Sequence, residues 1–259
     1  AVFFSGIIRV YLTSSQIGVK WRAIGILCGW IPVVHLVVLL KIIRMAAAEW
    51  KFESGKIMQA QERKDERLCQ TRYPILMVHG VFFRDFKSFN YWGRIPKELE
   101  AHGASVFYGN HQSAASVADS GGELAKRIRE IISETGCQKV NIIAHSKGGL
   151  DARYAISTLK MAPYVASLTT MSTPHRGCRF VDYACRLPEG LYRFVAGCFD
   201  RTFGKFGDRN PDFYTATRQF STKASAEFNK ATPDAPKVYY QSYASKMKYP
   251  WSHMLLSVP

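Results

Sequence analysis

Three features of these 259 residues predict an α/β fold, a parallel sheet with helices on both faces. From Ile75 onward, short apolar runs alternate with amphipathic stretches, the order that builds parallel strands joined by helices. A β-rich run at 140–144 passes into a helical pattern through His145, Ser146, Lys147 and Gly148. Small residues, Ala144 and Gly148, stand two before and two after Ser146, as a sharp strand–turn–helix elbow requires. A second buried-looking strand, Ile75 to Val78, ends in His79-Gly80. In such a sheet the carboxyl ends of the strands carry the ligand site, and both motifs fall there.

Taken in order, the N-terminal part differs from the rest. Residues 23–40 form an uncharged run of 18 residues, with Lys20 and Arg22 before it and Lys41 and Arg44 after it. That is close to the length of about 20 apolar residues that spans a bilayer. A membrane helix is therefore expected, with 1–45 as an anchor region and 46–72 as a charged linker helix. The first ten residues read as the tail of another apolar segment. Basic residues are denser after the run than before it, so the positive-inside bias puts the following domain on the cytoplasmic side of the membrane.

Residues 73–259 read as one domain. After Ile75–Val78 come a helix at 92–102, a strand at 104–108 and a helix at 116–135 with apolar positions at Leu124, Ile128, Ile131 and Ile132. The elbow strand follows, then a helix at 148–160 and a strand at Val165–Met171. Residues 176–230, rich in Phe, Tyr and Arg, break the rhythm and are expected as a cap insertion. One more strand is read at 238–244.

The elbow lifts the Ser146 hydroxyl above the sheet edge as a nucleophile for acyl transfer. The negative oxygen of a tetrahedral intermediate needs preorganised donors. In this architecture these are backbone amides, here of Lys147, after the nucleophile, and of Val81, in the loop after the early strand. His79, Gly80, His145 and Gly148 support that site. Phe82 and Phe83 are either acyl-chain contacts or ordinary packing. A Ser146–Lys147 dyad is disfavoured, because adjacent side chains diverge at an elbow. Asp151 and Arg153 read as a local charge pair or packing residues.

Segments 74–80, 91–96, 140–154 and 172–177, four motifs in order, resemble the bacterial triacylglycerol lipases of the α/β-hydrolase superfamily, the Pseudomonas/Burkholderia-type group. The resemblance covers a little under half of the chain. It implies that Ser146 is the nucleophile, that Val81 and Lys147 supply the oxyanion amides, and that His175 is structural. Ala144 replaces the family's first elbow Gly, and Lys147 stands where Gln or Met is common. The family's triad acid and base follow further strands. Here only His175 and His253 come after Ser146, and Asp234, the acid nearest His253, precedes a strand and so lies at the wrong sheet edge. These residues are therefore expected to be a fragment lacking the C-terminal strands, the Asp and the His.

The expected activity is hydrolysis of carboxylic esters of lipids by a membrane-anchored lipase or esterase. The alternatives are an inactive hydrolase-like membrane scaffold and an acyltransferase on the same fold. A net charge of +15 without a nucleic-acid motif argues for an anionic membrane surface and against nucleic acid as partner. No cofactor or metal is expected. The six cysteines occur singly, which disfavours a zinc site; a disulfide within 178–198 and free thiols remain open readings.

Overall fold

The computed structural model describes residues 2–81, 91–205 and 207–246. It divides into two compact units, one holding Ala1–Asp65 and the other Glu66–Ser245.

The first unit is helical. Helix α1 (Val2–Thr13) leads to α2 (Gly18–Leu27), a 3-10 turn at Cys28–Trp30, and α3 (Pro32–Glu62). Ile17, Val38 and Ile42 form its buried core, with Val10, Tyr11, Trp21, Ile24 and Cys28 packed around them. Glu49 of α3 closes the α1–α2 connection, accepting from the Ser14 hydroxyl, the Ser15 amide (2.9 Å) and the Ser15 hydroxyl (2.8 Å).

The single membrane helix expected across 23–40 does not form. Ile31 is extended (φ −103°, ψ 106°) and Pro32 starts a new helix. Proline disfavours helical geometry in the residue before it and suits the first helical turn, so it splits the run in two. Among the described residues no helix is long and apolar enough to cross a membrane. Helix α3 runs unbroken for 31 residues, through the stretch read as anchor and the stretch read as linker.

The second unit is built on five parallel strands: β1 (Ile75–Val78), β2 (Val106–Tyr108), β3 (Val140–His145), β4 (Val165–Met171) and β5 (Tyr239–Tyr243), in the order β2-β1-β3-β4-β5. Alternate residues serve opposite faces. Leu76, Val78, Ile142 and Ala144 pack with Leu124, Ile128 and Ile131 of α5 (Val117–Thr135) and Ala152 and Ile156 of α6 (Lys147–Ser157). Ile75, Met77 and Ile143 pack on the other side with Trp92, Ala104 and Leu99 of α4 (Ile95–Ala101). The sheet is thus covered on both faces, as its near-continuous apolar strands demand. Helix α5 is capped by Ser116, whose hydroxyl accepts from the Asp119 amide, and ends at Gly136 in the left-handed region (φ 68°).

Between β4 and β5 the insertion is helical: α7 (Arg179–Ala184), α8 (Glu189–Lys205), α9 (Phe213–Arg218) and α10 (Thr222–Ala231). Ala196, Phe203 and Phe213 of this segment pack on Val81 and Ala114. The buried Asp208 carboxylate accepts from the amides of Ser113 (3.2 Å) and Ala114 (2.9 Å) and from the Ser113 hydroxyl (2.8 Å). All six cysteines are free thiols, which settles the disulfide question.

Candidate active site

Strand β3 ends at His145 and α6 begins at Lys147, so Ser146 alone makes the turn. Its backbone lies at φ 53°, ψ −126°, a region that side-chain-bearing residues rarely occupy. The Ser146 amide donates to the Met171 carbonyl (2.9 Å), and its own carbonyl accepts from Gly149 (3.2 Å). These bonds hold the strained residue between the end of β4 and the first turn of α6.

Two glycines are there for want of space. A Cβ on Gly80 would lie 2.8 Å from the Ser146 Cβ, so the backbone after β1 runs directly against the nucleophile. A Cβ on Gly148 would strike the carbonyl oxygen of His79. The two sequence motifs, separated by more than sixty positions, are therefore in contact at the carboxyl edge of the sheet.

His79 is fully buried, with Nδ1 2.9 Å from the Gly80 carbonyl oxygen and Nε2 3.1 Å from that of His111. It ties the loop after β1 to the loop after β2 and stacks on the His111 ring at 4.0 Å. His145 pairs through Nδ1 with the Tyr91 hydroxyl and meets Trp92 edge-on. Burial lowers its pKa, which favours the neutral ring. Val81 is buried under the insertion. Phe82, Phe83 and His253 lie outside the described residues.

The Lys147 side chain turns inward and is buried to 1% exposure. Its ammonium donates to both Asp151 oxygens (2.8 Å each) and to the Ser120 hydroxyl (2.7 Å). His111 Nε2 stands 3.6 Å from the same carboxylate. Burial pushes the Asp151 carboxyl up to about 6, against the opposing pull of the Lys147 ammonium. Asp151 is therefore paired with the residue after the nucleophile, not with Arg153, whose carboxylate neighbour is Asp234. Lys147 does not serve Ser146 as a base, because its nitrogen is committed to Asp151 and Ser120.

His175 Nε2 is 2.9 Å from the Thr170 hydroxyl, and its carbonyl accepts from Asn229 (2.8 Å). Arg153 donates to Asn229 (2.7 Å) and to the Thr232 carbonyl (3.0 Å), and lies 3.6 Å from Asp234. These are fastenings of α6, β4 and α10. Among the described residues no imidazole hydrogen-bonds the Ser146 hydroxyl. Sequence reasoning missed His111, Ser120 and Asp208. The one signal for His111 was its place just past a strand end in a polar run.

The family described as "Putative serine esterase (DUF676)" matches residues 104–188, which include Ser146 and its elbow. The chain is 35% identical over 179 residues to a triacylglycerol lipase of Pseudarthrobacter phenanthrenivorans, covering 64% of this chain and 55% of the lipase. It is also 35% identical over 179 residues to one from Burkholderia plantarii, covering 64% and 49%. The chain thus spans about half the length of the curated relatives it matches. Among solved structures, a Bacillus licheniformis lipase in its mature form superposes with a TM-score of 0.52 at 24% identity, over 66% of this chain and 64% of that one. The fold is α/β-hydrolase-like, and in sequence the chain is similar to the bacterial triacylglycerol lipases of the Pseudomonas/Burkholderia type.

Proposed function

We propose that this chain carries the nucleophile and oxyanion machinery of a serine hydrolase that cleaves carboxylic esters of lipids. The observation that carries the reading is Ser146 itself: a serine held at φ 53° on a strand–helix junction with Gly80 packed against it. A serine is kept in that geometry at a cost of about 1–3 kcal/mol, which functional sites commonly bear.

In this reading the Ser146 oxygen attacks the acyl carbonyl as its proton passes to a general base. The amides of Val81 and Lys147 hold the resulting oxyanion. The intermediate expels the alcohol, which takes up the proton, and leaves an acyl-serine; water then releases the acid by the same steps. In this reading the acid and base of the relay lie outside the described residues; if the 259-residue chain turns over ester by itself, His253 is the first to mutate. The helices between β4 and β5 act as the cap, and their exposed Phe180, Tyr183, Leu191 and Phe194 suit a lipid substrate.

The test is labelling of the full-length protein with a fluorophosphonate probe, mapped by mass spectrometry, beside turnover of p-nitrophenyl butyrate. Label on Ser146, and loss of turnover in Ser146→Ala, are expected. A protein that takes no label, or an activity that survives Ser146→Ala, removes the hydrolase reading and leaves the inactive scaffold.

A further inference from the structure

We propose that the N-terminal helical unit seats in one leaflet of an anionic lipid bilayer, with the α2–α3 turn as its inserted tip. The tip is apolar and open. Trp30 is 90% exposed, Leu27 75% and Val33 74%, with Ile31, Leu36 and Val37 also exposed. Between Ala23 and Leu40 there is no Lys, Arg, Asp or Glu.

Length decides how deep the tip goes. From Ile31 to Lys41 is ten residues, about 15 Å of helix at ~1.5 Å per residue. Half of a bilayer's hydrocarbon core is also about 15 Å. Lys41 and Arg44 on α3, and Lys20 on α2, are exposed and so form a basic collar at headgroup depth when the turn sits near the midplane. Residues 1–48 hold five Lys and Arg and no acidic residue, so nothing in this stretch repels an anionic surface. Each basic residue near such a surface adds to the attraction.

The distribution of apolar side chains favours lipid over a protein partner. A protein covers one face of a helix, whereas α3 exposes Val33, Val34, Leu36, Val37 and Leu40 over all but its inward side. An apolar groove of about 690 Å³ also opens between α1 and the hairpin, lined by Ile7, Val10, Gly25, Val38, Leu39 and Ile42. Acyl chains of the same leaflet fill it. Anionic lipid is concentrated in cytoplasmic leaflets, which places the unit on that side of a membrane.

The experiment is flotation of the 259-residue chain with phosphatidylglycerol–phosphatidylcholine vesicles and with pure phosphatidylcholine vesicles. The protein should float with the anionic vesicles. Partitioning should fall about tenfold or more in Trp30→Asp/Val33→Asp, and again in Lys20→Gln/Lys41→Gln/Arg44→Gln, whose exposed positions do not threaten folding. Lipids brominated in mid-chain should quench fluorescence that Trp30→Phe removes. The proposal is overturned if the wild type stays in the aqueous fraction, or if the double-aspartate variant floats as the wild type does. It is equally overturned if the lipid-free protein is a dimer that this variant dissolves, for then a second copy covers the tip. Ser146→Ala should float normally, so a failure of the hydrolase reading leaves this result untouched, and the reverse.

Discussion

The ammonium of Lys147 is surrounded by protein, and among the described residues its one counter-charge is the Asp151 carboxylate one helical turn on. Removing one member of a buried pair strands the other, at about 3–5 kcal/mol, whereas replacing both with apolar groups is often neutral. Lys147→Met should therefore lower unfolding stability in urea by about 3–5 kcal/mol, and Lys147→Met/Asp151→Leu should recover most of it. The pair also sets a pH dependence. Burial raises the folded Asp151 carboxyl to about 6 from an ordinary value of 3.8. Between those values the folded chain holds a proton that the unfolded chain has released, so stability from this group is present in acid and lost as pH rises toward 6. Relative to the double variant, the wild type should lose stability from pH 4 to 6 and stay level above it; a difference that is flat or grows with pH would contradict the assignment. Gly80 makes the complementary case by sterics. Its added Cβ would press on the Ser146 Cβ, and a misplacement near 1 Å costs roughly 10²-fold in rate. Gly80→Ala should lose about that much kcat/KM on p-nitrophenyl butyrate with an unchanged circular dichroism spectrum.

At the scale of elements, the sheet was legible and the N-terminal helices were not. Strand β1 and strand β4 fall on the residues read from the sequence, because both are short apolar runs with clear stops. Helix α5 begins one residue later than expected, since Ser116 serves as its cap. Helix α4 begins at Ile95 with Pro96 in its first turn, which shortens the stretch read at 92–102. In the apolar run at 23–40 hydropathy and backbone chemistry disagree, and Pro32 prevails over the length of the run. The insertion was readable as a break in rhythm, but its attachment was not. Asp208 meets Ser113 and Ala114 across more than ninety positions, and no local pattern reports such a bond. Asp208→Ala leaves buried amides without an acceptor, at least about 1.5–3 kcal/mol for bonds to a charged group. Trypsin should then cut faster at Arg201 and Lys205, within α8, while the strands keep their protection. Equal cleavage of variant and wild type would show that apolar packing on Val81 and Ala114 suffices.

Across the whole molecule, the net charge of +15 and the two compact units bear on the same question. Each unit has its own buried core: Ile17, Val38 and Ile42 in one, the sheet with α5 and α6 in the other. The first core is small beside the apolar surface that its unit leaves exposed, so its helices belong among the segments that open most readily. A ligand that binds only the folded form stabilises what it contacts by mass action. If anionic lipid is that ligand, hydrogen exchange should slow across α2 and the first half of α3 when phosphatidylglycerol vesicles are added. Amides of β1, β3 and β4 already exchange through the opening of a large core and should not change. Added salt should reverse the effect at the collar first, because screening shortens the reach of exposed charge to about 8–10 Å at 0.10–0.15 M and less above it. Protection that spreads evenly over the sheet would mean that lipid stabilises the chain as one cooperative body. No protection at all would mean that the exposed tip awaits another partner.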